Sequence, residues 1–157
     1  MVVVEVASSA EAEVSATAIR DLAVACFPAD FLDGGADAAT IVDALCGFHD
    51  AAACEFLLAR DGAALVAMAT VIPYHDALYV ATLCVAPARR RSGLARVVCR
   101  VAAAHARDLG LDRLTGTVDP SRGDLRALYA SGLDANVFNV TSTCLGRPSP
   151  GLKLAQS

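Results

Sequence analysis

With 157 residues the chain is long enough for a single domain, 1–157, whose core needs no metal or disulfide staple. More than half of the residues are apolar, yet no apolar run reaches the ~18–20 residues that span a bilayer, and the N-terminal MVVVEVASSAEAE has neither the basic flank nor the apolar centre of a secretory signal, so the expectation is a cytoplasmic protein with no membrane partner. The net charge of −4, with basic residues that lack interleaved aromatics, excludes nucleic acid as a partner.

In chain order, Val2 to Val6 reads as a short strand. Ser9 suits a helix N-cap, with Glu11 and Glu13 in the first turn, where they favour the helix dipole. Val14, Ala18, Leu22 and Cys26 follow at four-residue steps, which predicts one helix ending before Pro28. Asp33-Gly34-Gly35 is a turn, and Ile41, Leu45 and Phe48 make one face of a second helix over about 37–48. The period then changes. Phe56 to Ala59 is a strand, Arg60-Asp61-Gly62-Ala63 a tight turn, and Ala64 to Ile72 a second strand ended by Pro73. Leu78 to Val85 is a third antiparallel strand, and a helix over 93–109 is closed by Gly110. Arg113 to Val118 is a strand, and Ser121 to Ser131 a short helix whose Ser121-Arg-Gly-Asp124 has the form of a capping box. Val137 to Leu145 is the last strand, and only the Pro/Gly-rich GRPSPG (146–151) looks loose. The order is β-α-α-β-β-β-α-β-α-β, an α+β class with a central sheet of mixed direction. The strands at 78–85 and 113–118 are joined by a helical crossover and should be parallel neighbours, unless another strand is inserted between them.

Six cysteines (Cys26, Cys46, Cys54, Cys84, Cys99, Cys144) show no Cys-x-x-Cys pair and no nearby histidine cluster, so they read as buried thiols, with neither a metal site nor a disulfide framework. The charges are divided. Residues 1–59 carry ten acids and one base, and residues 60–157 carry seven acids and twelve bases. That asymmetry suits two partners of opposite sign, or one partner with two ends, or simply solvated helix faces.

The densest positive charge lies in VAPARRRSGLARVV, residues 85–98. Arg89, Arg90 and Arg91 fall where a strand turns into a helix. A helix N-terminus offers unpaired N–H groups and a partial positive charge, and Gly93 and Ala95 keep the backbone open to close approach. These features suit a pyrophosphate. The loop is not a Walker loop, because Gly-Lys-Ser/Thr is absent. Arg90-x-x-Gly93-x-Ala95 resembles the Arg/Gln-x-x-Gly-x-Gly/Ala motif of the GNAT superfamily of N-acetyltransferases, and LRALYASG (125–132) resembles that family's Ala-x-x-Leu-Tyr-x-x-Leu-Gly segment. The resemblance covers most of the chain. It implies a three-layer fold, with helices on both sides of the mixed sheet, and acetyl-CoA as cosubstrate without a metal. It also implies binding of that cosubstrate through Leu83, Cys84, Val85, Arg90, Arg91, Ser92, Gly93, Leu94 and Ala95. Arg122 stands where the family often has a CoA-contacting Asn, Leu125 replaces a usual alanine, and Gly132-Leu133 comes one residue before the family's usual Gly-Phe.

The resemblance further implies direct transfer of acetyl to an amine, with Tyr129 protonating the departing thiolate. A phenol of pKa ~10 suits a thiolate of similar basicity. Tyr129 could equally be the packed end of an amphipathic helix. Many members carry a carboxylate base on the fourth strand, but here that strand is LYVATLCV, with Thr82 and no acid. Asp119, His75, Asp76 and Glu55 are therefore the candidates for deprotonating the acceptor. Asp119 is preferred, because it follows a strand end beside the cofactor crevice, and each of the four also reads as an ordinary loop or edge residue. His105 falls on the apolar face of its helix and reads as a core histidine, and His49 as a helix-end residue. The family's acceptor groove is lined largely by the first two helices and their loop. There Asp30, Asp33, Asp37 and Asp43, with His75, Asp76 and Asp119 opposite, would attract a polycation. AMATVIP (67–73), LYVATLCVAPARRRSGLA (78–95) and GLDANVFNVT (132–141) are similar to the aminoglycoside 3-N-acetyltransferases, which makes an aminoglycoside, and so antibiotic resistance, the first expectation. A polyamine, a protein N-terminus or lysine, and a non-catalytic CoA-binding module are the alternatives. A homodimer is compatible with all of them.

Overall fold

The computed structural model describes residues 1–27, 45, 53–117 and 138–141. They form β1 (Val2–Ser8), α1 (Ser9–Glu13), α2 (Ala16–Cys26), β2 (Glu55–Asp61), β3 (Ala64–Tyr74), β4 (Ala77–Val85), a 3₁₀ turn (Pro87–Arg89), α3 (Leu94–Asp108), β5 (Arg113–Thr117) and β6 (Phe138–Thr141). The strands make one six-stranded sheet in the order β1-β2-β3-β4-β5-β6. β1 to β4 pair antiparallel, whereas β4–β5 and β5–β6 are parallel. The α+β class and the mixed sheet hold, and the crossover through α3 does join parallel neighbours. The second helix (37–48, Leu45 apart), the helix at 121–131 and the tail at 146–151 lie outside the described residues. No helix among those described is long and apolar enough to cross a membrane.

Both faces of the sheet are covered, which is why its inner strands read as nearly continuous apolar runs. Phe56, Leu58, Met68 and Ile72 pack with Ile19, Leu22, Ala23 and Cys26 of α2. Leu57, Val71, Leu78 and Val80 pack on the other face with Val98, Cys99, Ala102 and Ala106 of α3. Each large apolar side chain buried in this way contributes about 1.5–3 kcal/mol. The result is three layers with β4 near the middle.

Where one N-terminal helix was expected, there are two. Ser8, not Ser9, is the N-cap of α1. Its Oγ accepts from the Glu11 N–H (3.3 Å), and the Glu11 carboxylate accepts from the Ser8 N–H (2.8 Å), completing a capping box. The Ser8 backbone and hydroxyl hold the Glu11 carboxyl below its usual pKa. The chain turns at Val14-Ser15 and restarts at Ala16. Val14, expected on the buried face, is 92% exposed. Four-residue steps drift about 40° per step around an α-helix, so Val14 and Cys26 cannot share a face. The buried set is Ile19, Leu22, Ala23 and Cys26, which keeps to one stripe.

Pro73 does not end its strand. β3 continues to Tyr74, with Pro73 opposite Leu78 and Tyr74 opposite Ala77. In a hairpin with a two-residue turn, the pair next to the turn exchanges hydrogen bonds and the following pair does not, so Pro73 costs the β3–β4 ladder no bond.

Two bulges shape the sheet. Ala59 faces Ala67 but Arg60 faces Leu65, which leaves Val66 as an extra residue on β3. Thr70 faces Thr82 but Val71 faces Val80, which leaves Ala81 as an extra residue on β4. The side chains record the second slip. Val80, Leu83 and Val85 pack toward α3, while Ala81 and Cys84 pack toward α2. Thr82 also turns to the α2 side, where its hydroxyl and that of Thr70 donate to the Leu45 carbonyl (3.4 and 3.1 Å). These two threonines are the buried polar residues among those described, and this shared acceptor satisfies both. Pairing with β5 runs from Ala77–Arg113 to Val80–Gly116, so it ends where the bulge begins. Gly116 permits that last close approach, because a Cβ there would lie 3.3 Å from the Val80 carbonyl.

Candidate active site

Beyond the bulge, β4 carries Ala81–Val85 past its pairing with β5, so its backbone groups on that side meet no strand among the described residues. Antiparallel pairing uses only alternate backbone groups of a strand, so those facing β5 are available to a ligand. Leu83 and Val85 point their side chains toward α3, and Cys84 points toward α2.

The loop that follows is anchored at its start and open at its end. The Ala86 N–H donates to the carbonyl of bulge residue Val66 (2.9 Å), and the 3₁₀ turn closes with Arg89 N–H to Ala86 O (2.8 Å). Arg91 takes a left-handed φ of 60°, and Gly93 one of 84°. Glycine meets the second requirement without strain. Among the described residues a Cβ at Gly93 would have no atom within 4 Å, so none of them fills the space in front of the loop. The Ser92 hydroxyl donates to the Arg89 carbonyl (2.5 Å) and fastens the turn. The first bond of α3 is Val97 N–H to Gly93 O (3.1 Å), and no side chain among the described residues caps this end. Helix geometry therefore leaves the preceding N–H groups without intrahelical acceptors, at the positive end of the dipole.

The three arginines divide. Arg89 leaves the loop and pairs with Asp61 of the β2–β3 turn (2.9 Å). Asp61 also holds the Met1 ammonium (3.2 Å), and this ammonium, then Arg89, keeps its carboxyl below the usual range. Arg90 is half-buried and donates from Nε to the Val85 carbonyl (3.4 Å). Arg91 is exposed. Neither Arg90 nor Arg91 pairs with a carboxylate among the described residues, so two positive charges stand beside an uncapped helix end.

His75 and Asp76 form the turn at the other end of β4, nine residues of strand away, or about 30 Å at strand rise. His75 has a left-handed φ of 53° and meets the Tyr74 ring edge-on (4.4 Å between centroids). The Asp76 carboxylate pairs with the Arg113 guanidinium, which lowers its pKa. Glu55, another candidate base, is hydrogen-bonded to His105 Nε2 (2.7 Å). His105 is partly buried, as expected of a core histidine, but it has a carboxylate partner. Thr82 is committed to the Leu45 carbonyl. The structure thus brings together Leu83 to Ala95 and leaves His75 and Asp76 apart from them. Asp30, Asp33, Asp37, Asp43, Asp119, Arg122 and Tyr129 lie outside the described residues.

Two features escaped sequence reasoning. Asp61 read only as a turn residue, because its partner Arg89 is distant in sequence. Cys26 read as a core hydrophobe, yet its Sγ donates to the Val85 carbonyl (3.3 Å) at the edge of the arginine loop.

A family model described as the acetyltransferase (GNAT) family matches residues 16–133. Among solved structures, the chain is similar to a ribosomal-protein-alanine N-acetyltransferase from Brucella melitensis biovar Abortus 2308. That match has 21% identity, a TM-score of 0.64, and covers 94% of this chain and 99% of the other. An aminoglycoside N-acetyltransferase in complex with CoA matches at 12% identity and a TM-score of 0.65, over 95% of each chain. An aminoglycoside acetyltransferase from an uncultured soil metagenomic sample matches at 19% identity and a TM-score of 0.62, covering 88% of this chain and 95% of that one. No curated protein sequence matches the chain significantly. At these identities the structural likenesses carry the fold.

Proposed function

Since the chain belongs to the GNAT acetyltransferase family and is an N-acetyltransferase, we propose that it moves acetyl from acetyl-CoA to a primary amine of a small polycationic acceptor, best matched by an aminoglycoside. The observation that carries the cosubstrate side is the uncapped N-terminus of α3 beside Arg90 and Arg91. Pyrophosphate suits that end, because fixed N–H dipoles and two guanidinium groups can receive its charge without displacing a carboxylate. Backbone groups of Leu83, Cys84 and Val85, where β4 runs past its pairing with β5, receive the pantetheine amides, and an N–H near Val85 polarises the thioester carbonyl.

Tyr129 gives its phenolic proton to the departing thiolate. Asp119 removes the proton that an ammonium must lose before it can attack, directly or through water. Arg122, in place of the Asn often found there, adds a charge on the CoA side. The acceptor reading is supported by the ten acids against one base in residues 1–59. Ammonium groups are costly to desolvate unless carboxylates receive them, so Asp30, Asp33 and Asp37 favour acceptors of high positive charge. His75 and Asp76 belong to the acceptor side in this reading, at the end of β4 away from the arginine loop.

A second reading, acetylation of a protein N-terminus, is favoured by the likeness to a ribosomal-protein-alanine N-acetyltransferase. An acetyl-CoA consumption screen against aminoglycosides, polyamines and peptides with free N-termini separates the two. Turnover of an aminoglycoside is the expected result; turnover of a polyamine or a peptide alone replaces the acceptor. With a substrate in hand, Tyr129→Phe should lower kcat by ~10²–10⁴-fold and leave the KM for acetyl-CoA almost unchanged. Unaltered turnover, where chemistry limits the rate, would return Tyr129 to a packing role.

A further inference from the structure

Acetyl transfer as derived above uses no thiol of the protein, yet two thiols meet at the foot of the arginine loop. Cys26 is the last residue of α2, and its Sγ lies 3.3 Å from the Val85 carbonyl. Cys84, the residue before Val85, turns its side chain into the same α2-facing layer. The two thiols share this buried layer and act electrostatically on one another, and Arg90, whose Nε donates to the Val85 carbonyl (3.4 Å), acts on both. One carbonyl thus gathers a thiol, a guanidinium and a neighbouring second thiol. Cys84 is fully buried and Cys26 is 6% exposed, so Cys26 is the thiol that a small reagent meets first.

We propose that Cys26 and Cys84 form a redox-active pair that a peroxide closes to a disulfide, and that closing it weakens acetyl-CoA binding at the adjoining loop. The second half rests on the pyrophosphate reading given above; the first does not. The environments of the two thiols differ in the way such a pair needs. Cys84 first, and then Arg90, favour the Cys26 thiolate over the opposing effect of burial and hold its pKa below the usual thiol value. Burial, and then the neighbouring Cys26, push the Cys84 thiol well up, so it keeps its proton. Cys99, in the α3-facing layer, is pushed up to about 12 by burial and has no such help. A low-pKa attacking thiol beside a resolving one is the arrangement of redox-sensing cysteines.

The chemistry balances. The Cys26 thiolate attacks one peroxide oxygen, the O–O bond breaks, and the leaving hydroxide is protonated to water. Cys26 is now a sulfenic acid, its sulfur oxidised and the peroxide reduced. The Cys84 sulfur then attacks the Cys26 sulfur, the S–S bond forms and the S–O bond breaks. The second hydroxide departs as water with the proton from Cys84. Two thiols and one peroxide give one disulfide and two waters.

A disulfide draws the two sulfurs to ~2.05 Å, well inside any non-bonded separation. It also removes the S–H that donates to the Val85 carbonyl. Both changes act on the last two residues of β4, from which the loop springs, and displacements of about 1 Å at a binding loop are costly. Because Arg90 is shared, a pyrophosphate that engages it withdraws support from the Cys26 thiolate, so acetyl-CoA should slow oxidation. The coupling is reciprocal.

The test treats the reduced full-length chain with hydrogen peroxide and maps its peptides without reduction. A Cys26–Cys84 cross-linked pair is expected as the main product, and it should be absent from Cys26→Ser and Cys84→Ala. In Cys84→Ala, Cys26 should stop at the sulfenic acid and be trapped by dimedone, which keeps the proposal testable if Cys26→Ser folds poorly. The Kd for acetyl-CoA should rise at least about tenfold on oxidation and recover with dithiothreitol, and acetyl-CoA should slow cross-linking severalfold. Oxidation spread over other cysteines with no Cys26–Cys84 link overturns the pair. A link that forms with an unchanged Kd overturns its control of the loop. Reduced protein that binds no acetyl-CoA at all overturns the pyrophosphate reading instead, and the cross-link is then judged on the peptide map alone.

Discussion

The two ends of β4 are both turns that carry charge, and they use it in opposite ways. At the start, Asp76 and Arg113 neutralise one another across the first step of the β4–β5 pairing. At the end, Arg89 is neutralised by Asp61, but Arg90 and Arg91 meet no carboxylate among the described residues and stand beside an uncapped helix. The first arrangement is satisfied within the fold and leaves little field to act on the cosubstrate at the far end of the strand. The second leaves a field and gives up internal pairing to keep it. Charge that a fold has already satisfied is structure, and charge left unsatisfied next to open space is where a site is to be sought.

That contrast can be broken at either end. The largest effect is expected from Gly93→Asp, which sets a carboxylate in the open space before α3 and forces a non-glycine residue to φ 84°. Affinity for acetyl-CoA should fall roughly a hundredfold or more by calorimetry, while Gly93→Ala, which bears only the left-handed backbone cost of about 1–2 kcal/mol, should keep much of it. Equal losses in both would mean that strain, not charge, decides. Next come Arg90→Ala and Arg91→Ala, each expected to weaken acetyl-CoA binding about tenfold and to flatten its salt dependence.

Asp61→Asn should do less. It releases Arg89 without touching the other two arginines, and a few-fold loss of affinity is expected. The same tie should respond to acid. The Asp61 carboxyl titrates below its ordinary value in the folded protein, so its contribution is complete above the ordinary carboxylate range and disappears as pH falls through the depressed value. A loop that loosens already at neutral pH would contradict the assignment. The smallest effect belongs to the other end: Asp76→Asn should leave acetyl-CoA affinity unaltered and the melting temperature nearly so, as for most exposed ion pairs.

Much of this was legible in the sequence, and what was not had a common cause. The hairpin at Asp61-Gly62, the long helix closed by Gly110 and the parallel crossover follow from short-range signals that need no knowledge of a partner. The arginine loop was legible for the same reason, since Pro87, Gly93 and the arginines lie within one turn-and-helix unit. The errors concern phase and pairing. Four-residue spacing made Val14 look buried because it counts steps and ignores their drift around the helix. Pro73 looked like a stop because its tolerance depends on which pair of the hairpin it occupies. The bulges at Val66 and Ala81 exist only relative to the opposite strand, and Cys26 meets Val85 across 59 residues of sequence. A single strand's composition contains none of these relations.

The bulge at Ala81 has one more consequence, for insertions and deletions. Ala81→Ser or Ala81→Gly keeps the count. Deleting Ala81 would return β4 to strict alternation with every other residue left in the layer it already occupies, Val80 and Leu83 toward α3 and Thr82 and Cys84 toward α2. Thr82 would then follow Val80 directly, as Val71 follows Thr70 on the opposite strand, so the bulge would go while both cores kept their large side chains. One residue fewer should therefore spare the core and remove only the bend at which β4 parts from β5, so a length variant here would separate the site from the sheet that carries it.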